Sequence, residues 1–347
     1  MHIPDGYLSP ATSVTLYSMC VPFMAKASKE TKRKLNDKTV PLISLFSALS
    51  FVIMMFNVPL PGGTTGHAVG ATITAIVLGP WIAMLSLTVA LVIQALFFGD
   101  GGILALGANV FNMVIVMTLS GYFIYQILDR WSKTLVKRKV IFSAVAGYIS
   151  INLAALCTAV ELGIQPLLFH NNLGQSLYFP YGLNVSIPSM LIGHLTIAGF
   201  AEALVTGLIL SWIYKTNPGI MTSNMNSVEK NYPIVKWGLI ALGVLVILSP
   251  LGLLAPGTAW GEWGRIELEK LGLGYIPQGF DKWSNFWKAP LSQYNLPQSG
   301  NPTIGYMFSG FIGVFMTILV LSGTFWIMRR LSKNNILKVS KKPGKST

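Results

Sequence analysis

Long apolar runs separated by short polar stretches recur along the whole chain, at residues 8–25, 40–57, 66–79, 81–98, 106–128, 140–163, 185–214, 237–256 and 305–328. Most approach the ~20 residues that carry an α-helix across the hydrocarbon core of a bilayer. Hydrocarbon offers no partner to exposed backbone N–H and C=O groups, so each run is predicted to be helical. The pattern predicts an all-α, polytopic membrane helix bundle with about nine spans. The run at 66–79 is short enough to form a partial or re-entrant helix.

Composition agrees with the pattern. Of 347 residues, 52% are hydrophobic and 11% charged, less than half the charged share of a soluble domain. The net charge of +13 would suit a nucleic-acid binder, but its distribution does not. Of 25 Lys and Arg, 21 fall in four blocks between apolar runs, Lys26 to Lys38, Arg130 to Lys139, Lys215 to Lys236 and Arg329 to Lys345. Such blocks mark cytoplasmic loops. Nine crossings with the N-terminus outside and the C-terminus in the cytoplasm put all four there, so orientation explains the charge and no nucleic acid is implied. No basic region precedes the first run, and the N-terminus is read as that of the mature protein.

Two parts are visible. Residues 1–215 hold seven spans, 216–236 form a polar cytoplasmic linker, and 237–347 hold two spans around an outside loop, 257–304. That loop carries Trp260, Trp263, Trp283 and Trp287 with Glu262, Glu267, Glu269 and Asp281. Its aromatic residues either lie at the membrane interface or cover the mouth of the first part. Cys20 and Cys157 both sit in apolar runs and are read as core filler.

The candidate chemistry lies at the start. In Met1-His2-Ile3-Pro4-Asp5-Gly6, the Met1 α-amine, the His2 amide and His2 Nδ1 can close a five- and a six-membered chelate ring on one metal. That leaves three nitrogens in a plane, and a fourth completes a square, the arrangement that suits Ni(II) or Cu(II) rather than tetrahedral zinc. On the dipeptide alone, a histidine at position 2 reads more readily as an accident. The segment Pro59 to Gly70 lies on the same outside face, and Gly62, Gly63, Gly66 and Gly70 permit close backbone approach. His67 would then be the fourth nitrogen.

Other polar residues at membrane depth are less informative. His194 and Glu202, eight residues apart, share a helix face and are read first as structural, with an internal relay or contact with a partner subunit as the alternatives. Glu161 is expected at the interface, Asp100 as a turn cap in Gly99-Asp100-Gly101-Gly102, and His170 in solvent.

Three segments, MHIPDGYLSP at 1–10, PGGTTGHAVGATITAIVLGPW at 61–81 and QALFFGDGGILALGANVFNM at 94–113, resemble the cobalt/nickel-binding S components (CbiM/NikM type) of energy-coupling-factor transporters. The resemblance covers roughly residues 1–215, and the last part looks like the small N-type auxiliary subunit, fused here as in NikMN-like chains. It implies a divalent metal, Ni(II) or Co(II), carried as transported ligand by Met1, His2 and His67. Asp5, Thr64, Thr65, Asn109 and Asn112 are candidates to hold the imidazoles through hydrogen bonds. It also implies a multi-pass protein of a prokaryotic cytoplasmic membrane, working with a transmembrane T component and ABC-type ATPase subunits. Nickel is the expected cargo, with cobalt, or a non-transport metal-binding role, as the alternatives.

The sequence supplies no motor and no catalyst. Gly344-Lys345-Ser346-Thr347 imitates the end of a Walker A loop, but Val339 stands where its first glycine belongs. There is no HExxH pair and no Ser/His/Asp set, so the expectation is a non-enzyme without a prosthetic group.

Overall fold

The computed structural model describes residues 1–36, 39–61, 64–133, 135–222, 232–255, 258–296 and 300–340. Gly62 and Gly63, the middle of the linker and the terminal Gly-Lys-Ser-Thr stretch lie outside them. Among the described residues six helices are long and apolar enough to cross a membrane: α4 (Pro80–Phe98), α5 (Leu106–Asp129), α6 (Val136–Leu168), α7 (Leu183–Thr216), α8 (Ile234–Leu254) and α9 (Pro302–Ile327). They match the last six runs of the sequence.

The other three runs leave the expected count of nine unconfirmed. α1 (Pro10–Lys34) is 25 residues long, but its last nine include Lys26, Lys29, Glu30, Lys32, Arg33 and Lys34, so its apolar part is short. α2 (Thr39–Met54) has 16 residues, about 24 Å at 1.5 Å per residue. α3 (Ala71–Leu78) has only eight, all buried, so it is a half-helix inside the bundle. It ends at Gly79, whose φ of 82° only glycine adopts freely, and Pro80 starts α4 at once. The helical architecture has one small exception: Val58–Leu60 (β1) and Thr64–Gly66 (β2) pair as an antiparallel hairpin, Leu60 opposite Thr64.

α2 joins the two parts. Fourteen of its sixteen residues are buried, because α4, α8 and α9 all pack against it. Two of its serines are satisfied inside the bundle: Ser47 donates to the Ser86 carbonyl at 2.5 Å and Ser50 to the Val69 carbonyl at 2.6 Å. α6 packs along both α5 and α7, and α1 along α4 and α5.

The segment before α1 does not extend into solvent. Met1, His2, Ile3, Tyr7 and Leu8 are all buried, threaded beneath the loop that joins α8 to α9. The Tyr7 hydroxyl donates to the Trp263 carbonyl at 2.8 Å, and its ring meets Phe179 and Phe280. Trp260 and Trp263 pack on Phe179 and Tyr181. For these two tryptophans, covering the mouth of the first part is the placement observed. Trp287 instead donates to the Leu96 carbonyl at 2.8 Å, beside the end of α4.

Candidate metal centre

The N-terminal peptide is fixed by two groups downstream of α4. The Asp5 carboxylate accepts from the backbone N–H of Ile103, Leu104 and Ala105, at 3.1, 2.8 and 3.3 Å. Gly102 is glycine for a steric reason: a Cβ there would collide with the backbone nitrogen and carboxylate of Asp5. Asn109, at the start of a π-helical stretch in α5, grips the next peptide on both sides. It accepts from the Ile3 N–H at 2.7 Å and donates to the Ile3 carbonyl at 3.1 Å, which also accepts from the Gly102 N–H at 2.9 Å.

These clamps set His2 against His67. His2 Nδ1 lies 3.2 Å from His67 Nε2 and 3.1 Å from Asp100 Oδ1. His67 Nδ1 is 3.0 Å from the Ala68 carbonyl, so with that nitrogen donating, Nε2 presents its lone pair to His2. The loop behind His67 is held by Glu202, whose carboxylate accepts from the N–H of Val69 and Gly70 at 2.7 and 2.9 Å. A carboxylate at the otherwise unsatisfied N-terminus of the buried half-helix α3 is favourable by charge as well as by hydrogen bonding.

The electrostatics favour neutral imidazoles. Burial, with the Met1 ammonium next in weight, pushes the His2 pKa down to about 4. Burial, the same ammonium and His2 push His67 down to about 3. The amine's charge bears on both rings, and on His194 as well, and the amine is itself buried and paired to Glu262 at 3.1 Å. His2 Nε2 and Gln94 Oε1 are both buried without a hydrogen-bond partner, and Gln94 is the side chain that bears on this ring. Gln94 in turn donates to Tyr294 at 3.0 Å, and Tyr294 donates to Asp100 at 2.6 Å. Among the described residues no three His, Cys, Asp or Glu side chains are arranged to hold a metal ion. A site here must draw on the amine or backbone.

Of the residues singled out in the sequence, Met1, His2 and His67 come together, with Asp5 and Asn109 on the peptide that carries the first two. Asn112 does not join them; it donates to Glu161 at 2.7 Å. Thr64 donates to the Thr258 carbonyl at 2.8 Å, and Thr65 is paired within the hairpin. Two expectations are corrected. Glu161 is buried against Asn112 rather than interfacial, because a lone carboxylate in this bundle needs the amide as donor. Asp100 reaches across to His2, Gln94 and Tyr294 instead of only capping its turn. His194 bonds Met190 of its own helix, at 2.8 Å, and Glu202 bonds the His67 loop, so no relay links them. His170 is exposed, as expected. Sequence reasoning missed Gln94, Glu262 and Tyr294. A glutamine at the end of an apolar run was a usable signal; the other two come from contacts across 200 residues or more.

The comparisons with known proteins agree in both parts of the chain. Residues 2–220 match the model of the CbiM family, described as the cobalt uptake substrate-specific transmembrane region, and residues 235–330 match the PDGLE domain. The chain is similar to the fused nickel transport protein NikMN of Rhodobacter capsulatus, at 42% identity over 92% of this chain and 95% of that one. It is also similar to the cobalt transport protein CbiM of Clostridium cellulovorans, at 32% identity over 62% of this chain and 79% of that one. A crystal structure of a transition metal transporter superposes with a TM-score of 0.60 at 52% identity, covering 66% of this chain and all of the other. The chain belongs to the CbiM family and carries a PDGLE domain at its C-terminal end.

Proposed function

We propose that this protein is the substrate-capture subunit of an ATP-driven energy-coupling-factor importer for a divalent transition metal, with nickel preferred and cobalt as a second cargo. The observation that carries the reading is the approach of His2 Nδ1 to His67 Nε2, 3.2 Å apart and buried, with the buried amine of Met1 one residue before His2. With metal–nitrogen bonds of about 2 Å, adjacent corners of a planar square lie about 2.8 Å apart. The observed 3.2 Å between the two imidazole nitrogens is a few tenths from that. The Ile3 N–H is taken by Asn109, which leaves the nitrogens of Met1 and His2 for the metal.

In this reading the Met1 amine, the His2 amide, His2 Nδ1 and His67 Nε2 hold the cargo. The amine sheds a proton and parts from Glu262, the amide sheds a proton, and both imidazoles are already neutral. Loading therefore releases protons and weakens in acid. Gln94 Oε1 is the acceptor placed for the His2 Nε2–H, and the Ala68 carbonyl serves His67, which fixes both tautomers. A planar set of strong nitrogen donors favours low-spin d8 nickel. The relative named for nickel also matches more of the chain, at higher identity, than the one named for cobalt. Copper is the stronger binder by intrinsic order, so discrimination against it rests on availability or on the transport step. ATP hydrolysis is assigned to partner ATPases coupled through a T component, in the cytoplasmic membrane of a prokaryote. Residues 1–215 carry the cargo, 216–236 link, and 237–347 form the auxiliary part whose loop closes over it.

The test is nickel uptake by cells expressing the chain with its partner subunits, intact mass confirming Met1 as the first residue. An uncleaved N-terminal extension removes the amine and one chelate ring and should abolish uptake, whereas a C-terminal tag should not. Full uptake by the N-terminally extended protein would overturn the assignment.

A further inference from the structure

The loop between α8 and α9 sends one tyrosine toward the metal centre, and its backbone is strained where it does so. Gln293 and Tyr294 both take the left-handed conformation, at φ of 54° and 58°, which residues with a Cβ avoid. Such strain persists only where the surroundings over-determine it, as in ligand clamps. Here the surroundings are rings. Tyr294 stacks on Phe98 with centroids 4.9 Å apart and meets Phe51 and Tyr306 at 6.2 and 5.3 Å. Its carbonyl accepts from the Ser309 hydroxyl at 2.9 Å. Buried and packed on three sides, the side chain has its hydroxyl fixed in place.

That hydroxyl organises two groups beside the His2 ring. It donates to Asp100 Oδ2 at 2.6 Å and accepts from the Gln94 amide at 3.0 Å, and the same amide also donates to Asp100 Oδ2, at 3.3 Å. The other carboxylate oxygen, Oδ1, stands 3.1 Å from His2 Nδ1. Bonds of about 2.1 Å put cis ligands of one metal about 3.0 Å apart, so Oδ1 already lies at a ligand's distance from Nδ1. In the planar square, both in-plane neighbours of Nδ1 are taken, by the His2 amide and His67 Nε2. A carboxylate oxygen at that distance can therefore meet the ion only from above or below the plane.

We propose that Tyr294 determines the choice of cargo, by holding Asp100 off the open face of the metal. The inference rests on the planar four-nitrogen reading of the site. With Oδ2 tied to the hydroxyl and to Gln94, Oδ1 is kept short of an axial bond, and the ion that gains most from four planar nitrogens keeps its advantage. Once freed, the carboxylate adds a fifth, anionic ligand. That serves Co(II), which accepts five or six donors, and takes from Ni(II) the low-spin planar state that favours it. The second part of the chain thus supplies a filter to a site built by the first.

The experiment compares the full chain, with a free Met1 amine, with Tyr294→Phe, which removes the hydroxyl and keeps the ring on Phe98. Equilibrium dialysis gives the affinities for nickel and for cobalt, each alone, and the magnetism of the nickel-loaded protein is measured on the same samples. The parent chain should hold diamagnetic nickel. Tyr294→Phe should hold paramagnetic nickel, and its nickel-to-cobalt affinity ratio should fall about tenfold, the low end of what removing groups behind metal ligands does. Adding Asp100→Asn to that variant should restore both the diamagnetism and the parent ratio, because a neutral amide is a poor axial ligand. Loss of packing at Tyr294 would not be repaired in this way. Unchanged magnetism and ratio in Tyr294→Phe, or a shift that Asp100→Asn leaves in place, overturns the proposal alone. Paramagnetic nickel in the parent chain overturns the planar site and the proposal with it.

Discussion

Asn109 offers the sharpest test of how the N-terminal peptide is held. Asn109→Ala removes both bonds to Ile3, in a place where Ile3 and Asn109 are each 1% exposed. The Ile3 carbonyl keeps its bond from Gly102, so only the Ile3 N–H is orphaned. An orphaned buried donor costs about 1–3 kcal/mol, and the other lost bond about 0.5–1.5 kcal/mol net. Escape of the peptide into water recovers part of this, which leaves about 2 kcal/mol charged against the prearranged site. At about 1.4 kcal/mol per decade, nickel affinity should fall roughly 30-fold, inside the range found when groups behind metal ligands are removed. Equilibrium dialysis of purified protein with a free Met1 amine reads it directly. Asn112→Ala, one turn along the same helix, loses only a bond to Glu161. It should lower stability and leave affinity within about twofold. A twofold effect at Asn109, or equal losses at both positions, would refute the clamp.

Three further outcomes are expected. Gly102→Ala forces a methyl group into Asp5, so metal binding should be lost while circular dichroism shows the helices intact; unaltered binding would show that the peptide can sit elsewhere. His67→Ala should abolish nickel binding in the same dialysis and His170→Ala should leave it unchanged, the reverse result reassigning the fourth nitrogen. The metal-free protein should lose stability in acid. Burial lowers the pKa of its two imidazoles to about 4 and about 3 against about 6.5 unfolded, so below pH 6.5 the unfolded chain takes up their protons first and thermal midpoints should fall from there to about pH 3. A flat profile would mean that the rings are not sequestered.

The helices were legible because an apolar run in a bilayer has one way to satisfy its backbone. Even the half-helix α3 was marked, by the short length of its run. What the runs did not reveal is which of them cross fully. α1 spends its second half on lysines, and α2 relies on neighbours to bury a length that would not span alone. At the site, His2, His67, Asp5 and Asn109 stood within motifs that are local in sequence. Glu262 and Tyr294 did not, because their partners Met1 and Asp100 lie 261 and 194 residues away. Pairings of that range come from packing of the α8–α9 loop onto the first part, and no local pattern encodes it. Asp100 was read as a turn residue because a Gly-Asp-Gly-Gly stretch looks alike whether its carboxylate turns back or reaches out. Glu161 was placed at the interface because a run's end says nothing about which residue faces Asn112.

The central claim is a planar four-nitrogen metal site built on the chain's own first two residues and His67. X-ray absorption of the nickel-loaded protein, with a free Met1 amine and with its magnetism measured on the same sample, tests it most directly. Four nitrogen neighbours in a plane and a diamagnetic ion are predicted. A paramagnetic, six-coordinate ion with carboxylate oxygen from Asp100 or Glu262 in its shell would contradict it.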